Sequence, residues 1–488
     1  MTKENPSSPT YILQLKLMTE LFQELILEKR FEIARKLYNR YLGELQKRKK
    51  VMEHDSVFIH WKEQPYNSEK KKVLSDLRKK YGLNFHSIDA FATRCRQTYK
   101  KHIDSDTNSK LAKRAWGAVE ELLFNPGTKK VRFKKHGTMD SLEGKKMSGI
   151  RYTNQTLEWN GLKIPVIVRK NDRYAHTAMI RDRIKFVRII RQQIKGKTKF
   201  YIQLVMEGYP PQKYNAETGE VRNPVNEGKV GLDIGTQTLA ISSEKEVKLL
   251  ELAPSIDKIE KEKRNMLRKL DRSRRATNPN KYNEDGTIKK DNRAKWIRSK
   301  NYLKILAQYK EIQRKQTAKR KQDHEALSNY ILSLGDEVKV ETMNFKGLAK
   351  RAKETKISEK TGKFQRKKRY GKSIGNKAPS MLLRILKQKL AYVGKKLCEV
   401  NRWELKASQY NHIEDSCTKK TIHQRWDIIV GIRVQRDLYS AFLLQHTINK
   451  REYDKQALNE NFASFLLLHE KEIERLKLVK PTISSMGF

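Results

Sequence analysis

Three cysteines, Cys95, Cys398 and Cys417, are all that the 488 residues contain. Such a chain carries no disulfide framework and no C-x-x-C pair of the kind that builds a structural zinc site. Long apolar runs are missing too, so the sequence offers neither a membrane span nor a charged amphipathic anchor. Its start, Met1-Thr-Lys-Glu-Asn-Pro-Ser-Ser-Pro9, is polar and lacks the apolar centre of a signal peptide, which leads us to expect a cytoplasmic protein with no membrane partner. Negative charge is scarce: 56 Asp and Glu stand against 106 Lys and Arg, a formal net charge of +50. That excess goes well beyond what solubility requires and points to a polyanionic partner.

The length allows two or more cores. Residues 12 to 130 carry helical periodicity, as in Leu13, Leu17, Phe22, Leu25 and Leu27, followed by Phe31, Ala34, Leu37, Tyr38 and Tyr41. Tyr99 stands beside Lys100 and Lys101, and Trp116 near Lys113 and Arg114, an interleaving that suits phosphates on cations and bases on rings. Taken one residue at a time, core packing and a solvated charged face account for the same letters. Residues 131 to 229 read as rich in strands and turns. Ile256 to Arg275 and Lys295 to Leu334 read as two very basic helices around the turn-prone Ala276 to Gly286, and Lys363 to Lys372 as a flexible cationic stretch.

Three carboxylates stand out against this basic background. Val230-Gly-Leu-Asp-Ile-Gly-Thr-Gln-Thr-Leu-Ala-Ile-Ser-Ser243 brings Asp233 along an apolar strand to Gly235, where a glycine lets nucleic acid approach the backbone. Glu341 ends Glu337-Val-Lys-Val-Glu341, in which Val338 and Val340 alternate with Lys339 and Glu341 as a strand requires. Asp437 stands near a helix start, with Val434, Leu438, Ala441 and Phe442 at helical spacing. Each has a plain structural explanation: a strand-end turn, a solvated carboxylate on an edge strand, a residue suited to the positive end of a helix dipole. Together they form the donor set of a metal-dependent phosphodiesterase, because carboxylate oxygens suit Mg2+ or Mn2+ over softer ions.

These segments resemble the RNase H-like, RuvC-type nuclease of the transposon-encoded TnpB proteins and of the compact type V CRISPR effectors. Gly231 to Gly235 matches the family motif G-[IL]-D-x-G, and Val340-Glu-Thr-Met-Asn344 with Phe345-Lys-Gly-Leu348 matches the second motif. Gln435-Arg-Asp-Leu-Tyr-Ser-Ala441 matches part of the third, commonly D-R-D-x-N-A-A, with Asp437 in the catalytic position and Gln435 and Tyr439 in place of the family Asp and Asn. Most TnpB proteins carry paired C-x-x-C zinc ligands before this motif. Here residues 407 to 437 hold only Cys417, which with His412 and His423 makes three donors, one short of a structural zinc site. Zinc is therefore not expected, and the ribbon reads as lost or replaced.

The resemblance implies an α/β plus α chain. A helical recognition lobe would span 1–130, with room for the first strand of a β module. A β-rich guide- and target-binding module would span 131–229. A split RuvC-like nuclease would span 230–488, with a basic insertion at 253–335, a cationic lid around 363–372 and a degenerate target-nucleic-acid-binding segment at about 406–433. The activity implied is RNA-guided DNA cleavage, with Asp233, Glu341 and Asp437 as catalytic metal ligands. Mg2+ or Mn2+ is the implied cofactor; guide RNA and double- and single-stranded DNA are the implied partners. A nuclease-inactive RNA-guided repressor and a protein-only resolvase or transposase are the alternatives. The former usually loses a catalytic carboxylate, and all three positions are filled here. A pure RNA-binding protein explains the charge but leaves the carboxylates to chance.

Overall fold

The computed structural model describes residues 9 to 479 apart from 126, 146–147, 290–293, 352–353, 355–356, 359–361, 363–369 and 422, and beyond 479 only 483, 486 and 487. Most of the expected cationic lid therefore lies outside the described residues. The chain divides into two compact units, Met1–Gln212 and Lys213–Phe488.

Leu13 and Leu17, expected at the head of a helical stretch, lie instead in strand β1 (Thr10–Leu17), because Tyr11, Leu13, Leu15 and Leu17 are buried alternately with exposed neighbours. Helix α1 (Leu21–Glu53) follows, with Phe22 and Leu25 exposed and a buried stripe from Leu27 through Phe31, Ala34, Leu37 and Tyr41 to Leu45. The helical part continues through α2 (Ser56–Glu63), α3 (Ser68–Lys80), α4 (Phe85–Arg96) and α5 (Ser105–Phe124). Strands β2 (Ser141–Glu143), β3 (Arg151–Thr153), β4 (Thr156–Trp159) and β5 (Leu162–Ile167), helix α6 (Arg173–Arg181), and strands β6 (Ile184–Ile194) and β7 (Lys197–Glu207) complete this unit. The strands form one antiparallel sheet in the order β2-β6-β7-β1-β5-β4-β3. Since β1 pairs with both β5 and β7, the helices expected over 1–130 and the strands expected over 131–229 share one unit. Arg30 of α1 ties the two layers, donating to the carbonyls of Trp159 and Asn160 at 2.5 and 2.8 Å.

The second unit is built on β8 (Lys229–Ile234), β9 (Thr238–Ser243), β10 (Val247–Glu251), β11 (Glu337–Glu341) and β12 (Cys398–Val400), in the order β10-β9-β8-β11-β12. The first three form an antiparallel meander, whereas β11 is parallel to β8 and β12 is parallel to β11. Parallel neighbours need long crossovers. The basic helices α7 (Ile256–Thr277) and α8 (Lys300–Leu334) provide the first, α8 starting at Lys300 rather than Lys295 where the Ser299 side chain caps the Tyr302 N–H. Short helices α9 (Phe345–Leu348) and α10 (Gly371–Lys377), then α11 (Pro379–Tyr392), belong to the second.

Alternation along the strands gives the sheet two faces. Val230, Leu232, Ile234, Val338 and Val340 pack with Ile331, Leu332, Leu382 and Leu386 of α8 and α11. Beyond β12 come α12 (Arg402–Leu405), the hairpins β13 (Tyr410–Asn411) with β14 (Ser416–Cys417) and β15 (Trp426–Ile429) with β16 (Ile432–Gln435), and helices α13 (Arg436–Gln445) and α14 (Lys455–Val479). Helices α13 and α14 cover the opposite face through Leu438, Phe442, Phe465 and Ile473. The segment at about 406–433 thus folds mainly as two hairpins.

The exposed rim of β10 is blunted by side chains. Glu472 of α14 accepts from the Leu249 N–H at 2.7 Å, and Arg475 donates to the Leu249 carbonyl at 3.3 Å, so two side chains stand where another strand would pair. Among the described residues, no helix is long and apolar enough to cross a membrane.

Candidate active site

Asp233 and Glu341 end up side by side although about a hundred residues separate them. Strand β11 pairs with β8 in the register Lys339 to Gly231 and Val340 to Leu232, which brings Glu341 next to Asp233 one step further on. Adjacent strands lie about 4.8 Å apart. Both carboxylates face α13, because their strand neighbours Leu232 and Val340 face α8 and α11. The plain alternative for Glu341, a solvated carboxylate on an edge strand, does not apply, since β11 is enclosed between β8 and β12.

The preceding register pair seats the helix. A Cβ on Gly231 would meet the backbone of Ala441 and Gln445, so α13 lies directly on β8. Opposite it, the Lys339 ammonium donates to the carbonyls of Gln445, at 3.2 Å, and of Thr447, meeting the negative end of α13. Ser242 of β9 donates to the Gln445 side chain at 2.7 Å. With its C-terminal end fixed in this way, α13 presents Asp437, in its first turn, to the carboxylate end of β8 and β11. Gly235, expected to make room for nucleic acid, closes the β8–β9 turn, its N–H donating to the Thr238 carbonyl at 2.9 Å.

Asp233, Glu341 and Asp437 are all half-buried. Burial pushes the Asp233 carboxyl well above the usual range, and the charges of Asp437 and Glu341 push it further, against the guanidiniums of Arg436 and Arg425. Glu341 is also raised, by burial first, while the backbone of Ala407 and the charge of Arg402 pull the other way. Asp437 pairs with Arg436 at 3.1 Å and Arg425 at 3.6 Å. Three mutually repelling carboxylates and two adjacent guanidiniums make a local field that a hard divalent cation would relieve, and the oxygen donors are of the type Mg2+ or Mn2+ takes. Their side chains are not closed around a point. Among the described residues, no three His, Cys, Asp or Glu side chains form a ready metal-holding group.

The two departures in the third motif turn away from this site. Gln435 caps α13, its Oε1 accepting from the Leu438 N–H at 2.8 Å, and its own N–H donates to His469 Nε2 at 2.9 Å. The Tyr439 hydroxyl is hydrogen-bonded to His412 Nδ1 at 2.6 Å and accepts from the His412 N–H at 3.2 Å. His412 packs against Phe442 and Phe462, while Tyr410 and Tyr453 stack with centroids 4.7 Å apart. Of the three candidate zinc donors, His412 is thus engaged in an aromatic cluster and Cys417 and His423 are exposed. The sequence reading missed Gly231, Lys339, Arg425 and Arg436. Only Gly231 and Arg436 had a signal, since both lie inside the quoted motifs.

No protein-family model matches the chain, and no curated protein does. Two solved structures similar to it are type V CRISPR effectors. One is Cas12f1 in complex with sgRNA and target DNA, 11% identical, with 89% of this chain and 98% of that chain covered and a TM-score of 0.46. The other is CRISPR-Cas12f in a ternary complex, 14% identical, with 88% and 82% covered and a TM-score of 0.28. Likeness this distant says nothing about individual residues.

Proposed function

We propose that the chain is an RNA-guided DNA endonuclease that hydrolyses phosphodiester bonds at Asp233, Glu341 and Asp437 in a RuvC-like core. The observation that carries this reading is the convergence of three chemically matched carboxylates from distant parts of the chain. They lie where two parallel strands end beneath the start of α13. The strand order and directions of the second unit support an RNase H-like description of it. The net charge of +50 supports a polyanionic partner, and the motif resemblance supplies the guide RNA and the DNA target.

Asp233, Glu341 and Asp437 would hold the divalent ion. Such an ion supplies a water of lowered pKa and neutralises charge on the scissile phosphate. Asp233 and Glu341 are fixed by adjacent strands, so they bind with little reorganisation. Asp437 is the adjustable member, because Arg425 and Arg436 can exchange its carboxylate for a phosphate oxygen. Those two guanidiniums then orient the strand and balance charge that develops during displacement.

The decisive experiment uses the chain co-expressed with its flanking locus, washed at high salt, with the retained RNA sequenced. One defined RNA, together with cleavage of a matching DNA that Asp233→Ala abolishes while binding persists, is the expected result. A heterogeneous RNA population with cutting of branched or end-bearing DNA would replace this reading by the protein-only nuclease. Undiminished cutting by Asp233→Ala would overturn the site itself.

A further inference from the structure

The hairpin β15–β16 closes through Val430 and Gly431, whose φ angles are +49° and +74°. A two-residue turn with both φ positive follows the twist of the strands and ordinarily takes Asn-Gly or Asp-Gly. A β-branched residue in that conformation is strained. Packing does not offset the strain: Val430 is 66% exposed, and Ile428 and Ile432 beside it are 68% and 44% exposed. Three aliphatic side chains therefore stand in solvent at the end of a hairpin in a chain of net charge +50.

The stem below that tip is cationic. Arg433 is exposed and lies 4.4 Å above the Trp426 ring, and Arg425, just before β15, reaches Asp437 at 3.6 Å. Strand β16 runs directly into α13, so the hairpin grows out of the rim of the carboxylate site. From Gln435 to Ile432 the strand advances about 10 Å at roughly 3.4 Å per residue, and the turn carries the tip about one residue further. Together that equals the rise of about four nucleotides stacked at 3.4 Å each.

We propose that Val430, Ile428 and Ile432 form an apolar wedge that enters between stacked bases of the nucleic-acid strand led to the carboxylates. This deepens the nuclease reading and rests on it. Arginines along the stem hold the phosphates, and the aliphatic tip replaces one base-on-base contact, as apolar wedges do in kinked duplexes. The base displaced from its stack lies about four nucleotides from the phosphate at Asp233. Continuity with the carboxylates and the guanidinium-lined stem favour a nucleic-acid strand over a protein surface.

Val430→Asn separates this role from scaffolding, because Asn suits the turn better than Val yet removes the apolar point. The chain is purified with its bound RNA in an Asp233→Asn background, so that the DNA stays whole. Target strands carry 2-aminopurine at successive positions. The expected result is a severalfold fluorescence rise at one position about four nucleotides from the mapped cut site, lost on adding Val430→Asn. With the carboxylates intact, Val430→Asn should slow cutting of a fully paired target about tenfold relative to the same target opened by a mismatched bubble. Unchanged fluorescence and an unchanged rate ratio would overturn the wedge. So would self-association that Val430→Asn abolishes without a fluorescence change, which would assign the tip to a second copy. Failure of the wild type to cut either target would refute the nuclease reading alone, since the fluorescence response still decides the wedge.

Discussion

Gly231 lies directly beneath Ala441: a Cβ on the glycine would stand 1.9 Å from the Ala441 carbonyl oxygen and 2.4 Å from the Gln445 amide nitrogen. Ala441 is one helical turn after Asp437, and Gly231 is two residues before Asp233 on the same face of β8. The glycine therefore sets the height at which Asp437 rides over Asp233. A motif that looks like a single carboxylate signature encodes both Asp233 and the seat of the helix that carries Asp437.

Gly231→Ala should destabilise the second unit by about 3 kcal/mol or more, because the obstacle is backbone that cannot rotate away. Cleavage should fall with it. Gly235→Ala is the comparison, since its Cβ would meet the Thr238 hydroxyl at 3.1 Å and the Thr238 carbonyl oxygen no nearer than 3.4 Å, and a loss below about 1 kcal/mol is expected. Urea denaturation of the two variants gives the answer. Equal losses would show that α13 is not seated on Gly231.

Asp233→Asn should abolish cleavage and at the same time stabilise the protein in EDTA. Its folded-state carboxyl is raised, first by burial and then by Asp437 and Glu341. An unfolded Asp ionises near pH 4, so the stability associated with this group is complete below that pH and is lost as pH rises toward the folded value. The variant should accordingly melt higher than the wild type at pH 7 to 8, by about 2–4 °C for each kcal/mol of relief, and the two should converge near pH 4. Millimolar Mg2+ should raise the wild-type Tm more than that of the variant. A lower Tm for Asp233→Asn in EDTA at pH 8 would contradict the crowded-carboxylate account.

The carboxylates were legible because each combines with a local pattern: period-two alternation around Glu341, apolar spacing after Asp437, and a glycine-flanked strand at Asp233. What surrounds them was not. Lys339 reads as the polar half of an alternating strand, and only the register opposite Gly231 shows it gripping the end of α13. Arg425 lies in a loop whose proximity to Asp437 depends on how β15 and β16 pair. The helical expectation for Leu13 and Leu17 fails because two leucines four apart fit both periods, whereas Tyr11 and Leu15 decide for the strand. The partners of β1, the strand for which 1–130 left room, lie far along the chain, beyond the reach of any local pattern.

Arg425→Ala tests the exchange between Asp437 and phosphate. Removing a guanidinium beside Asp437 frees one ligand for a cation, so half-maximal cutting should need several-fold less Mg2+. The same change removes a donor to the strand and should lower the cleavage rate at saturating Mg2+ by about a hundredfold. A Mg2+ titration separates the two effects. If the requirement rises instead, Arg425 supports the arrangement of the carboxylates and does not compete for Asp437.

Tyr439 and His412 hold the hairpin segment against α13, and that linkage should be sensitive to acid. Burial lowers His412 to about 4. An unfolded histidine takes up its proton near pH 6.5, so the stability due to neutral His412 is complete above that pH and is lost as pH falls toward 4, up to about 3 kcal/mol. His469, also lowered to about 4 by burial, adds to the slope. His412→Phe should therefore flatten the fall in unfolding free energy between pH 6.5 and 4 by about one proton without abolishing it. Tyr439→Phe leaves His412 Nδ1 and its backbone N–H without their partner, and should cost about 1–3 kcal/mol at pH 7 while leaving the acid slope in place. Denaturant unfolding at a series of pH values distinguishes them. An unaltered slope for His412→Phe would mean that this histidine titrates freely, and that the aromatic cluster is looser than the packing of Tyr439, Phe442 and Phe462 around it requires.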